Sequence, residues 1–159
     1  MTPTNKLPLF IVMGASCVGK STMCEILFQQ EKDYIVMESD LLWNNIYDTP
    51  EDDYRVYRRL WMRLCANISQ IGKPVVLCGC AVPAQFEGQP ERELFSDIFY
   101  LALICDETRL LERAGAGRGV TDEAWLKSAV DFNKWLRENA RAVKPGITLL
   151  DTTARTPEE

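Results

Sequence analysis

The stretch Gly14-Ala15-Ser16-Cys17-Val18-Gly19-Lys20-Ser21 stands directly after the apolar run at 7–13. Its spacing is that of a phosphate-binding loop, which only a strand-loop-helix unit can hold. Glycine at 14 and 19 lets the backbone turn sharply and approach phosphate oxygens. The amides of Ala15, Ser16, Cys17 and Val18, continuing to Ser21 and Thr22, point inward as an anion nest. The N-terminus of the following helix reinforces that nest. Lys20 is placed for the outer phosphates, and the Ser21 hydroxyl for Mg²⁺. An apolar strand pattern before the loop and a helical pattern over 20–30 supply the required context.

Four more apolar runs follow, at 34–37, 74–78, 99–105 and 146–150. None alternates apolar with polar, so both faces of each strand are expected to be buried. That is the pattern of a parallel sheet with helices on each side. Between the second and third runs, Tyr54, Tyr57, Leu60, Trp61, Leu64, Cys65, Ile68 and Ile71 repeat at three and four. The spacing predicts one helix over 50–71, with Thr49 and Asp52 as a capping box and Gly72 with Pro74 as the stop. A second long helix is predicted over 121–141, with Trp125, Ala129, Phe132 and Leu136 on one stripe, and a short one over 107–113. The glycines of 113–120 predict a mobile loop. The chain ends on Arg155-Thr156-Pro157-Glu158-Glu159, which reads as a helix start with Thr156 as cap. Either the domain closes without that helix or the chain is truncated.

Bulk composition narrows the function. A length of 159 residues, 47% hydrophobic and 26% charged, suits one ordinary globular domain. There is no histidine, which removes Ser-His and Cys-His catalysis and leaves a carboxylate, lysine or tyrosine as base. The six cysteines lack zinc-knuckle spacing and read as reduced thiols. A net charge of −5 disfavours nucleic-acid partners. No run is long enough for a membrane helix and 1–10 shows no secretory pattern, so a cytoplasmic location is expected.

Two features separate the uses of a bound phosphate. The third run ends Leu77-Cys78-Gly79-Cys80, without the acidic pair of a motor ATPase. Instead, Glu38 and Asp40 follow the second run. Residues two apart at a strand end project the same way, and in a parallel sheet that end faces the ligand crevice. The same two carboxylates also suit a strand end meeting a helix cap over 41–47, and Asp106 suits the cap of the next helix. Tyr54, Tyr57 and Trp61 suit a core stripe, while Trp43, Arg58, Arg59, Gln85 and Arg92 fall where an acceptor could sit.

The loop at 14–21, the acidic strand end at 38–40, Gly79, the arginines of 113–118 and the closing Leu149-Leu150-Asp151-Thr152-Thr153 together resemble the small P-loop kinases. These include shikimate, gluconate, nucleoside and nucleotide kinases, chloramphenicol phosphotransferase, and a bacterial group usually labelled AAA-type ATPases or nucleoside kinases. The resemblance spans nearly the whole chain. It implies an α/β, three-layer P-loop NTPase fold, a single domain over 1–159 with a parallel sheet of order 2-3-1-4-5 and a lid at about 113–120. It implies ATP as donor with Mg²⁺, and a small-molecule hydroxyl as acceptor. Glu38 would order Mg²⁺ with Ser21, Asp40 would take the acceptor proton, and Arg113 and Arg118 would close over the phosphates beside Lys20. Thr152 and Thr153 would lie near adenine. The sequence departs from the pattern in Glu38, where the shikimate and gluconate enzymes usually carry aspartate, and in its lid, which is poor in arginine. The expected activity is transfer to a nucleoside. A sugar-acid or antibiotic hydroxyl kinase and a nucleotide-binding regulator or slow ATPase are the alternatives, and a homodimer stays open.

Overall fold

The five apolar runs become five strands: β1 (Leu9–Met13), β2 (Ile35–Glu38), β3 (Val75–Gly79), β4 (Ile98–Ile104) and β5 (Thr148–Asp151). The structure is a computed structural model describing residues 6–30 and 33–159; residues 1–5, read above for a leader pattern, lie outside it. All strand pairs are parallel, in the order β2-β3-β1-β4-β5. Alternate residues of β1 feed two cores, as a strand covered on both faces must. Leu9, Ile11 and Met13 pack with Trp61, Leu77, Phe86 and Leu136, while Val12 packs with Val18, Cys24, Leu103 and Leu110. The result is the expected three-layer α/β fold.

Among the described residues five α-helices connect the strands: α1 (Lys20–Gln30), α2 (Arg55–Ile68), α3 (Ala84–Glu87), α4 (Glu107–Arg118) and α5 (Glu123–Asn139). On α2, Tyr57, Trp61 and Cys65 recur every four residues and are buried, as are Arg58 and Met62 beside them. Trp61 is 1% exposed, so its loss to alanine costs about 3–5 kcal/mol.

Local chemistry moves several boundaries. The helix expected from Pro50 is interrupted. Pro50–Asp52 form one 3₁₀ turn, then Asp53 (φ 56°) and Tyr54 (φ 58°) turn left-handed before α2 begins. The Asp52 carboxylate explains the restart. Its Oδ1 accepts from Thr49 Oγ1 at 2.7 Å and from the Arg55 amide at 3.2 Å, closing the turn and capping α2 instead of a longer helix. No α-helix forms over 41–47. Ser39–Leu42 is a single 3₁₀ turn with Asp40 inside it, and Asn44 Oδ1 closes the next turn by accepting from the Ile46 amide at 2.8 Å.

The segment 113–118, expected as a loop, is the end of α4. Leu110 and Ala114 anchor it at 0% exposure, and Gly119 (φ 64°) terminates it. The Gly119 amide donates to Gly115 O at 2.8 Å and the Val120 amide to Ala114 O at 3.0 Å, a glycine-closed helix end. Asp106 precedes α4 without a capping bond; its Oδ1 instead accepts from Arg137 Nη1 at 3.1 Å. α5 starts at Glu123 because the Asp122 side chain caps the Trp125 amide at 2.9 Å. At the end of the chain the Thr156 amide donates to Glu159 Oε2 at 2.8 Å, half of a capping box. Among the described residues no helix is long and apolar enough to cross a membrane.

Candidate active site

The phosphate loop joins β1 to α1 at the carboxyl edge of the sheet, and its shape is built into its own residues. A Cβ at Gly14 would stand 2.7 Å from Leu103 O and 2.8 Å from Val18 Cγ2, so only glycine fits. Gly19 holds φ 112°, a region that side chains avoid, and Cys17 holds φ 67°. Ala15 and Val18 are buried pegs under the loop. Lys20 is buried, and its Nζ donates to Gly14 O and Ala15 O at 2.7 Å each. Ser21 and Thr22 are exposed on the first turn of α1, while Ser16 is half-buried.

On the β5 side of the loop lies a groove of about 840 Å³. Leu101, Leu103 and Leu150 form an apolar wall, with Gly19, Thr22, Arg113, Arg118, Thr152 and Thr153 around it. Arg113 holds this side together. Its Nη1 donates to Val18 O and Thr152 Oγ1, both at 3.1 Å, and its Nη2 to Thr152 O at 2.8 Å. Thr152 Oγ1 in turn donates to Val18 O at 3.0 Å. Thr153 Oγ1 accepts from the Asp106 amide at 2.9 Å and donates to Asp151 Oδ1 at 2.6 Å. The middle of α4 and the end of β5 are thus tied to the back of the phosphate loop. Arg118 reaches the groove from the exposed last turn of α4.

On the β2 side, Ser16 of the loop and Asp40 line one cavity of about 570 Å³. The backbone before Asp40 is fixed from below. Ser39 is buried, and its carbonyl accepts from the Tyr57 hydroxyl and from Trp61 Nε1, the latter at 3.1 Å. Burial pushes the Tyr57 hydroxyl above its ordinary pKa, so it stays a donor. A Cβ at Gly79 would lie 2.0 Å from Ser39 Oγ, which explains the glycine at the end of β3. Glu38, half-buried, is the last residue of β2 and pairs in register with Cys78.

The far wall of the cavity carries Trp43, Tyr54, Arg58 and Gln85, and α5 adds Trp125, Ser128 and Phe132. Arg58 is 6% exposed, and its Nη2 donates to Cys80 O at 2.7 Å. Its guanidinium lies 5.4 Å from the Tyr57 ring centre and 5.8 Å from those of Tyr54 and Phe86. Gln85 Nε2 donates to Asp53 Oδ1 at 2.8 Å. Behind the cavity, buried Glu91 clamps α2. It accepts from Arg59 Nε and Nη2 at 2.8 and 2.9 Å and from Arg63 Nε at 2.9 Å. Hydrogen bonding from Arg59 holds its carboxyl well below the usual range, at about 2. All six cysteines are free; Cys80 alone is exposed.

Several contributors to the cavity were hidden in the sequence. Trp125 and Phe132 read as core stripe, but both are half-buried and face the cavity with exposed Ser128 between them. The i, i+3, i+7 spacing was the available signal. The Cys80 carbonyl gives no signal at all.

Among the described residues no group of three or more His, Cys, Asp or Glu could cage a metal. Mg²⁺ needs no such cage, since one or two protein oxygens plus phosphates hold it. Ser21 and Glu38 at one sheet edge fit that donor set, and the glycine-bounded loop with Lys20 fits a nucleotide triphosphate.

Solved structures share this fold. A gluconokinase from Sinorhizobium meliloti 1021 superposes with TM-score 0.65 and 20% identity over 95% of this chain and 85% of its own. A sugar kinase from Janibacter sp. HTCC2649 gives 0.63 and 19%, over 96% and 88%. The tunicamycin resistance protein of Deinococcus radiodurans gives 0.64 and 16%, over 96% and 90%. No curated protein sequence matches the chain. The family model described as an AAA domain matches residues 11–124, from β1 through the phosphate loop to the start of α5, and by that match this P-loop chain belongs to the AAA-domain family.

Proposed function

We propose that this protein is an ATP-dependent kinase that phosphorylates a hydroxyl group of a small molecule. The observation that carries the reading is that Ser16 of the phosphate loop and Asp40 line the same cavity. A carboxylate beside the loop suits an acceptor hydroxyl, whereas the end of β3 lacks the acidic pair that would activate water. The kinase neighbours with this fold support the same class.

Mg-ATP, when bound, supplies the γ-phosphoryl group. Lys20 would leave its two loop carbonyls for the outer phosphate oxygens, and Ser21 and Glu38 would hold the metal side. Arg118 would add positive charge from the end of α4, and Arg113 would keep the loop in shape. Asp40 takes the proton of the acceptor hydroxyl while that oxygen bonds phosphorus and the bond to the leaving ADP oxygen breaks. The transition state is loose, so positioning and charge neutralisation carry most of the catalysis. In the groove, the leucine wall with Thr152 and Thr153 suits adenine.

The acceptor we favour has a nucleoside framework. Trp43, Tyr54, Trp125 and Phe132 offer flat apolar faces to a base. A sugar acid is the second reading, favoured by Arg58 in the same wall. The protein is expected to act in the cytoplasm.

The test is ADP release from Mg-ATP with pools of nucleosides, sugar acids and aminocyclitols, with Lys20→Ala as blank. A pool that raises release several-fold over the acceptor-free rate supports the kinase. Tight ATP binding with no response to any pool would shift the reading to a nucleotide-binding regulator or slow ATPase.

A further inference from the structure

Arg58 is a buried cation with no ion-pair partner among the described residues. Its side chain is 6% exposed, yet no carboxylate among the described residues comes within 4.0 Å of it. The nearby Asp53 carboxylate is engaged by Gln85 Nε2 at 2.8 Å. A guanidinium offers five N–H donors. Here one bond is made, Nη2 to Cys80 O, and Nε is buried with no partner at all. Three aromatic rings surround the group and exclude water from its faces. Leaving such a charge unpaired is costly, and buried charges are as a rule paired. The contrast with its helix neighbours is direct. Arg59 and Arg63, on the same helix, are both satisfied by Glu91. Arg58 is turned the other way, into the cavity that holds Asp40.

We propose that the acceptor carries an anionic group, a carboxylate or a phosphate, that seats on the Arg58 guanidinium while its hydroxyl faces Asp40. The planar fork of arginine binds either oxyanion by two parallel hydrogen bonds. Arg58 is thus a specificity residue that selects charged acceptors, such as a sugar acid or an already phosphorylated nucleoside, over neutral nucleosides and sugars. This rests on the reading of the cavity as the acceptor site. The aromatic wall then packs the uncharged part of the acceptor, and Cys80 O engages Nη2 alone, so that Nη1, which makes no hydrogen bond among the described residues, stays available on the cavity side.

The first arm of the test measures binding without turnover. The phosphate loop is filled with a non-hydrolysable ATP analogue and Mg²⁺, and melting is followed with inorganic sulfate against chloride at equal ionic strength. Arg58→Met keeps the packing of the arginine stem and removes the charge. We expect sulfate to raise the melting temperature about 3 °C more in the wild type than in the variant. The second arm measures ADP release with matched pairs, gluconate against glucitol and uridine 5′-monophosphate against uridine. We expect the charged member of a pair to show a KM about 10- to 100-fold lower, an advantage lost in Arg58→Met. The favoured pair tells carboxylate from phosphate. No specific sulfate effect, an equal effect in the variant, or preference for the neutral members overturns the anion site. If the variant does not fold, the wild-type sulfate and pair measurements still decide. An Arg58-dependent sulfate effect with no ADP release from any pair leaves the anion site standing and sinks the kinase reading instead.

Discussion

Gly79 and Ser39 approach so closely that a methyl group on residue 79 would lie 2.0 Å from Ser39 Oγ and 3.1 Å from Ser39 Cβ. Ser39 cannot retreat easily, since its carbonyl holds both Tyr57 and Trp61. Gly79→Ala should therefore cost about 1–3 kcal/mol by overpacking and displace Asp40, with turnover falling alongside. Ser39→Ala in the same chain removes the closest atom and should restore part of both losses. Urea unfolding of the two single variants and the double variant checks this; additive losses would show that the contact is not the cause.

Asp40→Asn keeps the size of the side chain and removes the carboxylate proposed as the base. Turnover should fall about 10²–10⁴-fold with ATP affinity unchanged. Single-turnover kinetics with the acceptor found above, together with nucleotide titration, reads the two effects separately. An unchanged rate would reassign the base.

Arg113 makes three hydrogen bonds that join the Val18 carbonyl to Thr152. Arg113→Met should loosen the loop and weaken nucleotide binding about tenfold, equivalent to about 1.4 kcal/mol. Calorimetric titration with ATP checks it. Thr152→Val, which removes the other donor to Val18 O at 3.0 Å, should act in the same direction.

Glu91 sets a pH signature. Its carboxyl is lowered from 4.5 to about 2 in the fold by the Arg59 hydrogen bond. A depressed folded pKa gives stability that is complete above the unfolded value and is lost as pH falls toward the folded one. Wild type should therefore outlast Glu91→Gln in urea by a constant margin above pH 4.5, and the margin should shrink between pH 4.5 and about 2. A margin independent of pH across that window would show that the ion pair is not the source.

Gly115 and Gly117 lie inside α4 with open space where a Cβ would go. Replacing each with alanine should stabilise the helix by about 0.5–1 kcal/mol, read as a higher melting temperature. If the end of α4 must move during the reaction, the same double variant will turn over more slowly despite its stability.

The sheet was legible because parallel strands buried on both faces leave unbroken apolar runs, and β1 through β5 all fall within or overlap those runs. The phosphate loop was legible because its glycines answer to a backbone demand, as the 2.7 Å clearance at Gly14 shows. The start of α2 was not. Asp53 and Tyr54 adopt positive φ without being glycine, held by the closed turn of Thr49 and Asp52, and no periodicity reports that. The glycines of 113–118 misled in the opposite direction, because the buried Leu110 and Ala114 outweigh their weak helix propensity. Arg58 showed its place in the chain but not its isolation, since the missing partner is a property of three dimensions.

The strand order has one more consequence. β3 lies between β2 and β1, so the turn that carries Asp40 and the phosphate loop are two strand spacings apart, about 10 Å. β3 thereby acts as a molecular ruler. On the proposed kinase reading it sets the gap into which a terminal phosphate and an attacking oxygen would fit together, and the missing side chain at its tip, Gly79, keeps the near end of that gap from being pushed open.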